Sequence, residues 1–276
     1  MPAFAGMTND VMLISLAGRR IHYDLVGPPA GVTVCLAHAL AADSGMWAEQ
    51  VPALTAQGWR VLRVDMRGHG GSDPPDGPTT LDDLAGDIAG VIDALGIARV
   101  HFVGLSIGGM IGQALGLRHG PKVASLMLCE SPPASLPRVA EIWAPRITAV
   151  RAANSCEPIA DGTMERWLSP GFRARDPGRW RQIRDTVAAT DPAGYLGGIR
   201  ALSRFDFTRE LPSLRIPAMA LYGEDDAASS AEENERLAAL IPGGRFVSFA
   251  GARHLPNVEA PERFNRILLD WLGAQS

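Results

Sequence analysis

The run His101-Phe102-Val103-Gly104-Leu105-Ser106-Ile107-Gly108-Gly109 passes from an apolar strand through G-x-S-x-G-G into a helix-like continuation, Met110-Ile111-Gly112-Gln113-Ala114-Leu115. Such a strand-turn-helix presents a serine at a strand's carboxyl end, and bulk two residues before or after it would collide, which accounts for Gly104 and Gly108. A hydroxyl is a weak nucleophile near neutral pH. It needs a general base, and the base needs a carboxylate to fix its tautomer. Both types follow at strand ends. Ala218 to Tyr222 leads into Gly223-Glu224-Asp225-Asp226, and Val247-Ser248-Phe249 leads through Ala250-Gly251-Ala252-Arg253 into His254. Ser106, Asp226 and His254 are therefore the expected catalytic triad, with Asp225 and Glu130 as alternative carboxylates. His22, His101 and His119 lack such support and read as structural.

The turn aims a helix N-terminus and the Ile107 N–H at the place where an oxyanion forms. The second donor is expected from the loop His38-Ala39-Leu40-Ala41-Ala42-Asp43, as the N–H of Leu40. Asp65-Met66-Arg67-Gly68-His69-Gly70-Gly71-Ser72 also follows a strand, but it lacks G-x-G-x-x-G and reads as a structural turn rather than a dinucleotide site.

These residues need a scaffold of strands. Val11 to Leu16 and Arg20 to Leu25, separated by Ala17-Gly18-Arg19, suggest a hairpin. Val32 to Ala37, Arg60 to Val64, Val100 to Gly104, Val123 to Cys129, Pro217 to Tyr222 and Gly244 to Phe249 suit a covered parallel sheet. Leu81 to Leu95 and Pro261 to Leu272 carry apolar residues at helical spacing. The stretch from about Ser131 to Ser203 breaks this rhythm, with Pro132-Pro133, Pro137 and helically spaced tryptophans and arginines. The chain is thus expected to be an α/β protein with a mostly parallel central sheet, flanking helices and an inserted helical cap. The core would span 1–130 and 204–276, and the cap 131–203.

A chain of 276 residues, 46% hydrophobic and 20% charged, can bury one sizeable core. With 26 basic and 30 acidic residues, a net charge of −4 and no basic block, nucleic acid is not an expected partner. No window approaches a membrane span and the start lacks a signal-peptide pattern, so a cytoplasmic location is the expectation. The residues before Met7 read as a disordered extension. Cys35, Cys129 and Cys156 read as reduced core residues, and the scattered histidines suggest no metal site.

With the elbow, D-x-R-G-x-G-x-S at Asp65 to Ser72 and G-x-x-D at Gly223 to Asp226 in place, the chain resembles the α/β-hydrolase superfamily over nearly its whole length. Within it the chain is most similar to the 3-oxoadipate enol-lactonases. The shared features are Asp43 through Met46-Trp47 to Gln50, Gly104 to Gln113, and His254 followed by Asn257-Val258-Glu259. In the cap they are Trp143, Arg146, Met164-Glu165-Arg166-Trp167 and Gly194-Tyr195. It departs from that pattern at His38-Ala39-Leu40, where Asn-Ser-Leu is expected, and around Gly197-Gly198.

The resemblance implies hydrolysis of an enol lactone within aromatic-compound breakdown, with Trp143 and Arg146 facing the substrate. The implied partner is a small ester or lactone, cleaved through an acyl-enzyme without a cofactor or metal. Broad carboxylesterase activity, a cofactor-free haloperoxidase or perhydrolase, and a small-ligand receptor on the same fold are the competing readings. Oligomeric state is not fixed by these features.

Overall fold

The computed structural model describes residues 12–136 and 139–275. The expectation for the residues before Met7 lies outside that set, as do Val11 and Pro137. Among the described residues, every expected strand run is a strand, with ends moved by at most two residues. β1 (Leu13–Leu16) and β2 (Arg19–Val26) form the hairpin, followed by β3 (Thr33–Ala37), β4 (Arg60–Val64) and β5 (Val100–Leu105). β6 (Val123–Cys129), β7 (Ala218–Gly223) and β8 (Arg245–Phe249) complete one eight-stranded sheet, ordered β1-β2-β4-β3-β5-β6-β7-β8. β2 pairs antiparallel with β1 and β4, and all pairs from β4 to β8 are parallel.

Helices α1 (Gln50–Ala56), α2 (Leu81–Ala94) and α3 (Ile107–Arg118) lie between the early strands, and α9 (Ala231–Leu240), α10 (Pro256–Glu259) and α11 (Pro261–Gly273) follow β7 and β8. β3, β5 and β7 are buried at every position. Successive side chains of a strand point to opposite faces, so both faces of the sheet centre are covered. α2 begins with a capping box between Thr80 and Asp83, so its first turn is fixed by the sequence itself.

Between β6 and β7 the chain leaves the sheet for α4 (Val139–Ala153), α5 (Glu157–Trp167), α6 (Pro170–Arg175), α7 (Pro177–Ala189) and α8 (Pro192–Leu202). Prolines open α6, α7 and α8, and Ser169, Asp176 and Asp191 cap them through their side chains, so this succession of short helices is encoded locally. An antiparallel bridge between Ala134 and Asp206 closes the insertion at its base. A second tie is a close backbone approach. A Cβ on Gly194 of α8 would stand 2.5 Å from the Gly68 Cα and carbonyl oxygen, so Gly68 of the D-x-R-G-x-G-x-S turn and Gly194 each leave room for the other. That turn is held by its own hydrogen bonds. Its buried Asp65 accepts from Ser44 N at 2.7 Å, Gly71 N at 3.0 Å and His22 Nδ1 at 2.7 Å.

All three cysteines are free and buried, and burial pushes the Cys35 and Cys156 thiols up to about 12. Among the described residues, no helix is long and apolar enough to cross a membrane.

Candidate active site

Ser106 sits between β5 and α3 with φ 59° and ψ −121°, a backbone region that costs a non-glycine residue of order 1–3 kcal/mol. The surroundings enforce it. Ser106 N–H donates to Cys129 O at 2.8 Å. A Cβ on Gly104 would lie 2.2 Å from Gly108 O, and one on Gly108 would lie 2.3 Å from Ala37 O. The two glycines that flank the serine therefore let α3 descend onto β5 and β3 until backbones touch. Ile107, the first residue of α3, is buried directly behind the serine.

His254 follows β8. Its Nδ1 meets Asp226 Oδ2 at 2.9 Å, and both residues are buried. Asp226 is the third residue after the end of β7, and its side chain folds back into an Asx turn. Oδ1 accepts from Ala228 N at 2.8 Å, while Oδ2 also accepts from Ser229 N at 3.1 Å and Ser229 Oγ at 2.8 Å. Burial alone would raise its pKa. The His254 charge and hydrogen bond, with those donors, hold it down at about 2. Asp225 is exposed, and its N–H donates to Ala252 O. Of the two neighbouring aspartates, only Asp226 meets the imidazole. Glu130, the other alternative, stands behind Asp226 without a hydrogen bond to His254. One ligand-type atom from each of Glu130, Asp226 and His254 lies within 4.8 Å of the other two.

The His254 loop is held by residues far away in the chain. Trp167 stacks on the imidazole with centroids 6.1 Å apart, and Leu255 N donates to Trp167 O at 3.3 Å. Glu259 accepts from Arg253 N and Ser169 N, both at 3.0 Å. Asn257 Nδ2 donates to Met46 O at 3.1 Å, and Gln50 Nε2 donates to Asn257 O at 3.0 Å. The sequence features at Met46, Gln50, Asn257 and Glu259 thus form one clamp around the loop that carries the histidine.

Ser106 and His254 open into the same cavity, of about 240 Å³, which Leu40 also lines. α4 contributes Trp143 and Arg146, α5 contributes Arg166 and Trp167, and α8 contributes Tyr195. The Arg146 guanidinium lies 4.8 Å from the Trp143 ring centroid, and Trp143 meets Tyr195 edge-on at 6.4 Å. Arg166 is oriented by a 3.0 Å hydrogen bond to Thr163 Oγ1. Neither arginine forms an ion pair among the described residues. Burial lowers the Arg146 pKa, and burial together with the Arg146 charge lowers that of Arg166 to about 10. Two positive charges in a mostly apolar space, without carboxylate partners, make a place for an anion.

The structure therefore gathers Ser106, His254, Leu40, Trp143 and Arg146 around one cavity, with Asp226 behind the histidine and Ile107 behind the serine. Sequence reasoning did not single out Arg166 as a cavity residue, although the Met164-Glu165-Arg166-Trp167 segment marked its helix. It also missed Ser229, which bridges Asp226 and Glu130.

A model of the family described as "alpha/beta hydrolase fold" matches residues 32–261. The chain belongs to that family. Among its relatives, 3-oxoadipate enol-lactonase 1 of Acinetobacter baylyi is 31% identical over 259 residues, covering 94% of this chain and 95% of that protein. A putative carbamate hydrolase RutD of Caulobacter segnis is 32% identical and covers 91% of this chain and 96% of that protein. The crystal structure of the enol-lactonase from Burkholderia xenovorans LB400 superposes with a TM-score of 0.90 at 34% identity, over 95% of this chain and 100% of that one. The chain is a hydrolase of this family with lactonase-like relatives.

Proposed function

We propose that the protein hydrolyses a lactone or carboxylic ester through an acyl-enzyme, and that its substrate is an enol lactone of the 3-oxoadipate type, met in aromatic-compound breakdown. One observation carries this reading. Ser106 and His254 line one mostly apolar cavity, and Nδ1 of the imidazole is bound to the buried Asp226. His254 takes the Ser106 proton as Oγ attacks the carbonyl, and the N–H groups of Ile107 and Leu40 stabilise the oxyanion. The ring C–O bond breaks and the leaving oxygen receives the proton from His254. Water activated by the same histidine then cleaves the acyl-enzyme and restores the serine. Asp226 keeps the imidazole oriented throughout.

Oxoadipate is a dicarboxylate, so its enol lactone keeps one free carboxylate. Arg146 and Arg166 are placed to hold it, with Trp143 packing on the acyl chain. A hydrolysis screen comparing such an enol lactone, a saturated lactone, a short aryl ester and an alkyl carbamate tests the reading, because kcat/KM ratios report transition-state preference. The carboxylated enol lactone is expected to lead by at least about a hundredfold. Equal values would mark a general esterase. A leading carbamate would favour the activity named for the RutD relatives.

A further inference from the structure

Glu130 is the buried acid that the proposed mechanism leaves unused. It follows β6 with φ 52°, in the left-handed region, and its N–H donates to Leu221 O at 2.9 Å, so its backbone is pinned between β6 and β7. Its side chain is 1% exposed. Oε1 accepts from Gly223 N at 2.6 Å, and Oε2 lies 3.2 Å from Ser229 Oγ.

The protons around Ser229 can be counted. Asn234 Nδ2 donates to Ser229 Oγ at 3.2 Å, and the serine has one hydroxyl proton of its own. Two carboxyl oxygens compete for it, Asp226 Oδ2 at 2.8 Å and Glu130 Oε2 at 3.2 Å. Asp226 also receives two backbone N–H groups and the imidazole, the donor set of an ionised carboxylate. If the serine proton goes there, an ionised Glu130 Oε2 would face a serine lone pair with no donor between them, and no lysine or arginine pairs with Glu130 among the described residues. A proton on Oε2 removes the conflict.

We propose that Glu130 is a positioning residue of this site: a neutral carboxylic acid that donates to Ser229 Oγ, so that Ser229 donates to Asp226 and the two carboxyl groups share a single negative charge. Desolvation, together with the charge and close contact of the Asp226 carboxyl, outweighs the Gly223 N–H and the Ser229 hydroxyl, which act the other way, and raises the Glu130 pKa well above the ordinary carboxylate range. The ionisable groups that face Glu130 are Cys129 beside it, Asp226 and Tyr222 from the β7 side, and His254 across the cluster. The catalytic role of Asp226 rests on the function proposed above, whereas the protonation state of Glu130 does not.

The test compares Glu130→Gln and Glu130→Ala with the unaltered protein. Glutamine reproduces a neutral acid, with Oε1 accepting from Gly223 and Nε2 donating to Ser229. It is expected to keep kcat within about threefold and leave the acid limb of the kcat/KM profile in place. Alanine removes the donor to Ser229 Oγ and the acceptor for Gly223 N and leaves a void beside Asp226, and it is expected to lower kcat by about tenfold or more with little change in KM. Thermal stability gives a readout that does not depend on turnover. A carboxyl whose folded pKa is raised contributes stability fully present below its unfolded pKa, about 4.3, and lost as pH rises through the folded value. The Tm advantage of Glu130→Gln over the unaltered protein should therefore grow from pH ~4 to pH ~8. In the unaltered protein, the infrared C=O stretch of a protonated carboxyl should persist at neutral pH, which keeps the test valid if a variant does not fold. A shift of the acid limb by about one unit in Glu130→Gln, a Tm difference that does not vary with pH, or no protonated-carboxyl band would each overturn the neutral state. An unchanged kcat and pH profile in Glu130→Ala would overturn the positioning role. Loss of turnover in Ser106→Ala is a separate outcome and reports only on the proposed triad.

Discussion

Helices α3 and α4 border the same cavity but are held in opposite ways. α3 is buried from Ile107 to Gly116, and its approach to the sheet is limited by backbone contact at Gly104 and Gly108. α4 is longer, carries Pro145 in its interior, and has Val150 as its one fully buried residue. The helix that presents the serine has almost no freedom to move without breaking close packing. The helix that presents Trp143 and Arg146 lies over the cavity on a few contacts, and Pro145 cannot supply the N–H that would bond to Glu141 O. On the proposed function, the chemistry is fixed by backbone at strand ends, and selectivity is carried by side chains of α4 and α5, of which α4 is the loosely packed one. Substitutions near α3 should change rate for every substrate, whereas those on α4 and α5 should change which substrate is preferred.

The largest effect is expected at the serine itself. Ser106→Ala should lower kcat by about 10⁴-fold or more for all substrates, with Tm nearly unchanged because the backbone strain, not the hydroxyl, belongs to the fold. Next comes Gly108→Ala. Its new Cβ would stand 2.3 Å from Ala37 O, so α3 must shift, and displacement of the serine by a fraction of an ångström should cost about 10²-fold in kcat for every ester as well as lower Tm. On the opposite wall, Arg146→Met and Arg166→Met should each reduce kcat/KM by about tenfold or more for carboxylated substrates, mainly through KM, and leave uncharged aryl esters within about twofold. Equal losses for both substrate types would erase the distinction between the two walls.

The smallest effect concerns acid stability, and it belongs to the sheet side. Asp226 and Asp65 both have folded pKa values held at about 2, the first by His254 and the Asx-turn donors, the second by His22 and its other partners, in each case against the effect of burial. A carboxyl with a depressed folded pKa contributes stability present above its unfolded value, about 3.9, and lost as pH falls through the folded one. Tm should decline as pH drops from about 4 toward about 2, and Asp65→Asn should flatten part of that decline. An unchanged slope in Asp65→Asn would show that this turn does not contribute.

The same contrast explains what could be read from the residues alone. The strands and the serine turn were legible because their signals are local: an apolar run of strand length, a glycine two residues to each side of Ser106, a histidine just beyond another strand. Asp226 was the expected carboxylate with Asp225 as its alternative, and the structure supplies the reason the sequence lacked: the Asx turn at Ala228 buries Asp226 and folds it toward the imidazole, while Asp225 stays exposed. Arg166 was visible as part of a family-like segment but not as a second cation beside Arg146, because their convergence depends on how α4 and α5 pack. The Glu130–Ser229–Asp226 relay joins side chains from two strand ends, and no sequence spacing encodes it.

The most direct measurement is mass spectrometry of the protein after reaction with a fluorophosphonate, which adds covalently to an activated serine. The expected result is one adduct per chain, mapped to the peptide that contains Ser106, and no adduct in His254→Ala or Ser106→Ala. An adduct on another residue, or substrate turnover that survives in Ser106→Ala, would contradict the central claim that Ser106, activated by His254 and Asp226, is the nucleophile.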